Sequence, residues 1–406
     1  MDRIDRLMEL MASPHRQYPV IHVAGTNGKT TVARIASQIL TSLGLKVGTY
    51  TSPHLERIEE RFEVGGEVAS PAAFALAIED VAPFVDILET ETGDRATYFE
   101  LTTAAAFAFF AEAAVDVGVI EVGLGGRLDA TNVVHSQVAV VTGISIEHTD
   151  YLGDTLESIA AEKLAILKPG GTLITGPLPE VVEPMAIDRA RSVGVTHRAM
   201  GTDFHIADPS LAVGGWSMDV EGVYQRYGDL YIPMHGRHQM DNAALAIAAV
   251  EELLGKALPD EVVRDGLAAV RSPGRIEVVS HEPLVIIDGA HNAQAFDALA
   301  QTLLEEFPDL EWTLVIGAMG DKDIEAMLAS LDGLVTTVIA TSADHERALV
   351  PGQLAAAAAR TLPDATVTEV AGVAEAVAMA QESTPAEGGI VIAGSLYVAG
   401  EARKLF

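Results

Sequence analysis

The stretch Val20-Ile21-His22-Val23-Ala24-Gly25-Thr26-Asn27-Gly28-Lys29-Thr30-Thr31 limits what this chain can fold into more than any other. Residues 20–23 are a short apolar run, as a buried parallel strand requires. Gly25 and Gly28 permit a tight turn in which no side chain shields the backbone N–H groups. Lys29 adds a point charge, and Thr30 and Thr31 add hydroxyls. Beyond them Ile35, Ile39 and Leu43 recur at helical spacing. Strand, glycine turn, Lys-Thr and helix is the order of a phosphate-binding loop. Its amides and helix N-terminus hold phosphate oxygens, its lysine reaches the outer phosphates, and a hydroxyl can ligate Mg²⁺. The strict G-x-x-x-x-G-K-[ST] spacing would need glycine where Val23 stands, so the loop is a shorter variant. The alternative is a polar strand-to-helix turn that binds nothing.

The order of the remaining elements from N- to C-terminus predicts two domains. Residues 3–11 read as a short amphipathic helix, 45–50 as a second strand, 71–85 as a helix begun by Pro71, and 97–114 as an Ala/Phe-rich helix. Apolar runs at 117–122, 138–142 and 172–175 read as buried strands, with a helix at 155–167. Strands alternating with helices argue a mostly parallel open α/β sheet. Shorter, glycine-punctuated pieces over 195–231 suggest an antiparallel accessory sheet, followed by helices at 240–254 and 260–270. Ser272-Pro273-Gly274-Arg275 reads as a linker. A second alternation then runs from the strand at 284–287 to the strand at 389–392, Rossmann-like in layout but without G-x-G-x-x-G. The expected fold is therefore α/β: a mostly parallel open sheet carrying the phosphate loop over 1–272, and a smaller Rossmann-like α/β domain over 273–406.

Composition narrows the function. With 406 residues, 49% hydrophobic and 21% charged, the chain has material for more than one packed core. The absence of cysteine excludes disulfides, thiolate metal sites and a cysteine nucleophile, and suits a reducing cytoplasm. Asp2, Arg3, Asp5, Arg6 and Glu9 argue against a secretory leader, and the most apolar window, 101–120, is interrupted by Glu112 and Asp116. A net charge of −32 repels nucleic acid and anionic membranes. Small molecules are the expected partners of a cytoplasmic, monomeric chain, and any anionic ligand must rely on placed cations such as Lys29, Arg127 and Arg275.

Several polar residues stand at the ends of predicted strands. Glu121 ends an apolar run and precedes Gly123-Leu124-Gly125-Gly126, which suits a Mg²⁺ ligand, with a strand-end surface glutamate as the alternative. Ser52 follows the second strand, and is either a hydroxyl ligand or an ordinary Ser-Pro turn start. Glu147-His148-Thr149-Asp150 offers groups for metal binding or proton transfer, with a structural histidine as the alternative. Lys163 lies in the following helix, where an exposed, paired lysine is the plain reading. Arg275 and Asp288-Gly289-Ala290-His291-Asn292 lie where a second domain would meet a nucleotide. Together these groups suit one reaction: ATP phosphorylates a carboxylate, and an amine attacks the acyl phosphate.

The chain resembles the folylpolyglutamate synthase/dihydrofolate synthase family within the Mur ligase superfamily. The likeness rests on residues 22–29, Thr51-Ser52-Pro53-His54-Leu55, Thr97-Tyr98-Phe99-Glu100, the run from Glu121 to Asn132, His148-Thr149-Asp150, Glu162-Lys163, Pro273-Gly274-Arg275, Asp288 to Asn292, Asp321-Lys322-Asp323 and Gly394-Ser395. It implies an ATP-dependent ligase adding L-glutamate to dihydropteroate or tetrahydrofolate. It also implies ATP contacts by Asn27, Gly28, Lys29, Thr30, Thr31, Asn242, Arg275 and Asp288. Ser52 and Glu121 would bind one Mg²⁺, and His148 a second together with Lys163 carbamylated by CO₂. His291 would act near the nucleotide, and Asp2, Arg3, Leu128, Asp129 and Ala130 would line the pterin-bearing substrate. Three features depart from the family pattern. Thr30-Thr31 follows the loop lysine, as in cell-wall Mur ligases; Glu147 stands where aspartate is usual; and the chain begins almost at the substrate-binding helix. Two readings compete: a cell-wall Mur ligase acting on a UDP-sugar peptide, and a phosphate-loop NTPase acting as a switch.

Overall fold

The computed structural model describes residues 1–406, which form two contact units. The first comprises Met1–Ser210, Ser217–Pro233 and Gln239–Val270, and the second Leu211–Trp216, Met234–His238 and Arg271–Phe406. Two short segments thus pack with the second unit although they precede residue 272. A carboxylate holds them there. Glu306, its side chain 3% exposed, accepts hydrogen bonds from Trp216 Nε1 (2.8 Å), His235 Nδ1 (2.6 Å) and the Gly236 amide (2.6 Å). Burying that charge requires such a set of donors.

The first unit is built on an eight-stranded sheet. Its strands are β1 (Val20–Ala24), β2 (Val47–Tyr50), β3 (Phe62–Val64), β4 (Glu67–Val68), β5 (Val117–Glu121), β6 (Val138–Val141), β7 (Thr172–Thr175) and β8 (Thr196–Ala199). Their order is β4-β3-β2-β5-β1-β6-β7-β8. From β2 to β8 neighbouring strands are parallel, and β3 and β4 add an antiparallel edge. Every residue of β1, β2, β5 and β6 is buried, which is why each is a continuous apolar run rather than an alternation. One face carries Ile4, Leu7, Phe74, Val81, Phe107 and Phe110; the other carries Ile159, Leu164, Ile166 and Val182.

The helix begun by Pro71 runs to Thr92, past the expected end near residue 85. Its buried stripe of Phe74, Ala77, Val81, Val85 and Leu88 continues through Pro83 and stops at Gly93, whose φ is +77°. Residues 196–199, expected in the accessory sheet, instead complete the main sheet as β8. The accessory sheet is three-stranded: β9 (His205–Ala212), β10 (Gly215–Glu221) and β11 (Arg226–Ile232).

The second unit holds β12 (Glu277–His281), β13 (Leu284–Ile287), β14 (Trp312–Ile316), β15 (Val335–Ser342), β16 (Thr366–Gly372) and β17 (Gly389–Ala393). Their order is β12-β13-β17-β14-β15-β16, parallel except for β12. The core gathers Ile286, Phe296, Leu303, Trp312, Leu314, Leu328, Val338 and Leu354. β17 inserts between β13 and β14, so the last strand of the chain returns to the middle of the sheet.

Burial also sets how the fold responds to acid. His22, on β1 and wholly buried, sets Nε2 2.9 Å from Thr131 Oγ1, and burial with the nearby Lys168 charge pushes its pKa down to about 3. The unfolded chain takes up a proton below pH 6.5 that the folded chain refuses. Stability is therefore full above that pH and falls as pH drops toward 3. At pH 5 the loss from His22 alone is about 2 kcal/mol, and His15, pushed down to about 4 by burial, acts in the same direction. Urea unfolding midpoints are expected to fall between pH 7 and pH 5; a flat profile would mean that His22 is protonated in the folded state.

Candidate active site

β1 ends at Ala24, and the loop that follows uses both glycines for conformation and space. Gly25 and Gly28 have φ of +147° and +83°. A Cβ on Gly25 would collide with Thr142 Oγ1, and one on Gly28 with Asn242 Oδ1. The loop is pinned to the segment after β6. The Thr26 amide donates to Gly143 O (2.9 Å), and Thr26 Oγ1 donates to Ser145 O (3.2 Å) while accepting from the Ser145 amide (3.0 Å). Thr142 Oγ1 donates to Asn27 O (2.5 Å). Lys29 Nζ folds back over the carbonyls of Gly25 (2.9 Å) and Thr26 (2.8 Å). The helix Lys29–Ser42 thus presents its N-terminus to a fixed loop, the arrangement that binds phosphate oxygens. Gly28→Ala is expected to weaken ATP binding roughly tenfold or more, because a left-handed residue with a side chain costs about 1–2 kcal/mol before Asn242 moves. Calorimetric titration of ADP checks this.

Register brings the next residue in. Val23 of β1 pairs with Glu121 of β5, so a strand-end carboxylate stands beside the loop. Glu121 is 1% exposed, and accepts from Thr30 Oγ1 (2.8 Å) and from the Ser52 amide (3.0 Å). Ser52 Oγ is enclosed and has no hydrogen-bond partner. A buried carboxylate beside two hydroxyls, one of them the unpartnered Ser52 Oγ, fits a hard divalent cation. No group of three or more His, Asp or Glu side chains gathers to hold a metal. A cation here would therefore complete its shell with phosphate oxygens and water, as Mg²⁺ does.

Lys163 closes the site from the helix Leu156–Leu164. Its side chain is 3% exposed, and Nζ donates to Gly25 O (2.8 Å) and Glu147 Oε1 (2.7 Å). Gly126 makes the approach possible: a Cβ there would strike Glu162 O and crowd Lys163 Cα. Burial, and then the Lys29 charge, push the Lys163 pKa down to about 8 against the pull of Glu147. Burial alone would raise Glu147, but the charges of Lys29 and Lys163 outweigh it and bring it down to about 2. His148, with φ of +48°, lines one small cavity with Gly25, Lys29, Gly123, Glu147 and Lys163. The sequence marks Glu147 as one of a polar group for metal binding or proton transfer, but not as the partner of Lys163. Its signal was its place one residue before His148.

The acceptor-side residues divide. Leu128 is 62% exposed, whereas Ala130 is buried. The buried Asp129 carboxylate clamps its own loop, accepting from the Leu124 amide (2.9 Å), the Thr131 amide (2.9 Å) and Thr131 Oγ1 (2.5 Å). Asp2 is exposed on the first turn of the helix Asp2–Leu10, and Arg3 Nε reaches both carboxylate oxygens of Glu100 at 3.2 Å. Thr31 is buried in the loop helix, and Asn242 Nδ2 donates to Gln239 Oε1 (2.8 Å).

In the second unit, Arg275, Asp288 and His291 form their own cluster after β13. Asp288 accepts from the amides of Ile276 and Ala290, both at 2.8 Å. Burial pushes its pKa up, and Arg275 opposes that. A Cβ on Gly289 would lie 2.7 Å from Arg275 Nη1, and His291 Nδ1 lies 2.8 Å from Gly289 O.

Comparison with known proteins adds to this geometry. The family described as Mur ligase middle domain matches residues 23–250, and that described as Mur ligase, glutamate ligase domain matches 274–396. The dihydrofolate synthase/folylpolyglutamate synthase of Mycobacterium tuberculosis is 40% identical over 437 residues, covering 100% of this chain and 90% of that protein. A crystal structure of M. tuberculosis folylpolyglutamate synthase complexed with ADP and AMPPCP matches with a TM-score of 0.96 at 39% identity, covering 100% of this chain and 94% of that one. The Escherichia coli FolC structure in complex with DHPP and ADP matches with a TM-score of 0.88 at 32% identity, covering 100% and 92%.

Proposed function

This chain belongs to the Mur ligase family, among the folylpolyglutamate and dihydrofolate synthases, and on that premise we propose that it joins L-glutamate to a pterin-bearing acid, dihydropteroate or tetrahydrofolate, in a reaction driven by ATP. It is an ATP-dependent ligase. The observation that carries the assignment of roles is the convergence of the phosphate loop, the Glu121–Ser52 pair and the buried Lys163 within one unit.

In this reading Asn27, Gly28, Lys29, Thr30 and Thr31 hold the triphosphate, with Asn242 packed against the loop. Arg275 and Asp288 contact the rest of the nucleotide, and His291 serves the transfer of glutamate. Residues 1–272 supply ATP binding, and residues 273–406 the glutamate-ligase part. Ser52 and Glu121 would hold one Mg²⁺, and His148 with a carbamate on Lys163 a second. Bound there, the divalent ions screen the repulsion between ATP and the acceptor carboxylate. Lys163 suits carbamylation because its amine, held near pKa 8, is neutral often enough to attack CO₂ and release a proton. Leu128 and Ala130 meet the pterin-bearing substrate, with Asp129 shaping their loop and Asp2 and Arg3 at its border.

The acceptor acid is expected to be phosphorylated first and then attacked by the glutamate amine, so that phosphate and an amide form together. Incubation with ATP, Mg²⁺, glutamate and either acceptor should release phosphate only when acceptor and glutamate are both present. Mass spectrometry should find the acceptor heavier by one glutamyl residue. Phosphate release with a UDP-sugar peptide instead, or hydrolysis indifferent to glutamate, would overturn the assignment. No helix is long and apolar enough to cross a membrane, in keeping with small-molecule partners.

A further inference from the structure

Arg61 is an anomaly in the first unit. The residue is 7% exposed, yet no carboxylate pairs with its guanidinium. Arg3, Arg6, Arg127, Arg198 and Arg403, with side chains 32–57% exposed, each pair with an acid. The chain holds 58 acidic residues against 26 basic ones, so a partner was not scarce. Arg61 Nε donates to His54 Nδ1 (3.1 Å), and its guanidinium carbon lies 5.5 Å from the centre of the Tyr98 ring. A neutral imidazole nitrogen and an aromatic face offset part of the cost of burying a cation, but supply no counter-charge. The two terminal amino groups hydrogen-bond to nothing in the protein.

The surroundings are built and rigid. Arg61 ends the turn Ile58–Arg61, and its carbonyl accepts from the Thr51 amide (3.3 Å). The carboxylate of Glu60 closes the loop between them, accepting from the amides of Leu55 (2.8 Å), Glu56 (3.2 Å) and Arg57 (2.9 Å). Thr51 precedes Ser52, which bonds Glu121. Tyr98 precedes Phe99, whose ring fills the space over Gly123. Strand order then sets the sides. The phosphate loop follows β1, Glu121 ends β5, and Arg61 lies at the β2–β3 junction, across β5 from the loop. A nucleotide on the loop and an acid facing it would meet at Glu121, with the acid on the side of Arg61.

Resting on the reading that the substrate is a pterin-bearing acid, we propose that Arg61 is an acceptor-binding residue whose guanidinium takes a carboxylate of that acid, with Tyr98 and His54 holding it in place. A planar fork of donors matches a carboxylate with two parallel hydrogen bonds, which an ammonium cannot do.

The test is steady-state kinetics on Arg61→Met and Arg61→Lys with dihydropteroate and with tetrahydrofolate. Arg61→Met is expected to raise the acceptor KM roughly 10- to 100-fold, with the KM for ATP and for glutamate and the ADP affinity near wild type. Arg61→Lys should fall between, and added guanidinium ion should recover part of the activity of Arg61→Ala, which a packing role would not allow. Equal effects on both acceptors assign Arg61 to the carboxylate that becomes the amide. An effect on tetrahydrofolate alone assigns it to the second carboxylate of the glutamyl tail. An unchanged acceptor KM, or a rise confined to ATP, overturns the proposal. Should Arg61→Met not fold, Arg61→Lys keeps the charge and carries the same comparison. A wild-type protein that glutamylates neither acceptor would defeat the underlying reading instead, so the two failures are distinguishable.

Discussion

Lys163→Ala is expected to reduce glutamate ligation to roughly 1% of wild type or below, with the fold retained. The helix Leu156–Leu164 tolerates alanine, and Glu147 keeps the charge of Lys29 nearby. What is lost is the buried amine proposed to carry the carbamate. With its pKa pushed down to about 8 by burial and the Lys29 charge, far more of that amine is neutral near neutral pH than of an ordinary lysine. Its attack on CO₂ forms a nitrogen–carbon bond and releases one proton. Short carboxylates such as formate or acetate should restore part of the activity of Lys163→Ala, because they supply the missing oxygens. Lys163→Arg should stay inactive with or without them, since a guanidinium does not lose its proton and fills the space. Circular dichroism and thermal unfolding establish that the variants fold. Full activity in Lys163→Ala would remove carbamylation from the account.

Glu121→Gln is expected to lower ligation roughly 100- to 1000-fold and to raise the Mg²⁺ concentration for half-maximal activity at least about tenfold. The amide keeps the volume and one acceptor oxygen, so the bonds from Thr30 Oγ1 and the Ser52 amide are only half replaced. Its charge is gone, and with it the attraction for a divalent ion. Glu121→Asp keeps the charge but ends one methylene short of both donors, and should sit between glutamine and wild type. A Mg²⁺ titration with phosphate release as readout separates the cases. An unchanged Mg²⁺ requirement in Glu121→Gln would take this carboxylate out of the metal site.

Both residues are distinguished in the sequence by their place, Glu121 at the end of an apolar run and Lys163 in the helix after His148. Glu121 was marked by ending an apolar run before Gly123, and its pairing opposite Val23 explains why that position faces the loop. Lys163 was ambiguous in sequence, since a helix lysine beside Glu162 is ordinarily a solvated pair. The fold separates them: Glu162 pairs with Arg127 at 2.8 Å, and Lys163 turns inward to Glu147. Asp129 is a different case: the fold adds that its carboxylate accepts from three donors of its own loop, while Leu128 beside it stands exposed.

Other features were not legible because their causes are distant in the chain. The strand at 196–199 has no stronger apolar signal than its neighbours, and joins the main sheet because β7 offers a parallel edge. Segments 211–216 and 234–238 belong to the second unit because Glu306, 70 to 90 residues on, gathers their donors. Arg61 stands among the charged residues of a polar loop, and nothing local in the sequence announces its burial.

By itself the sequence determined the parallel α/β layout, the phosphate loop and the identity of the polar residues at strand ends. Those follow from hydrophobic period and from glycine and lysine at fixed offsets, which act over a few residues. Only the tertiary structure decided which of those polar groups are buried, which carboxylate faces which cation, and so which pKa values move. Desolvation and charge pairing depend on through-space distances between residues tens to hundreds of positions apart, and strand register and helix packing set those distances.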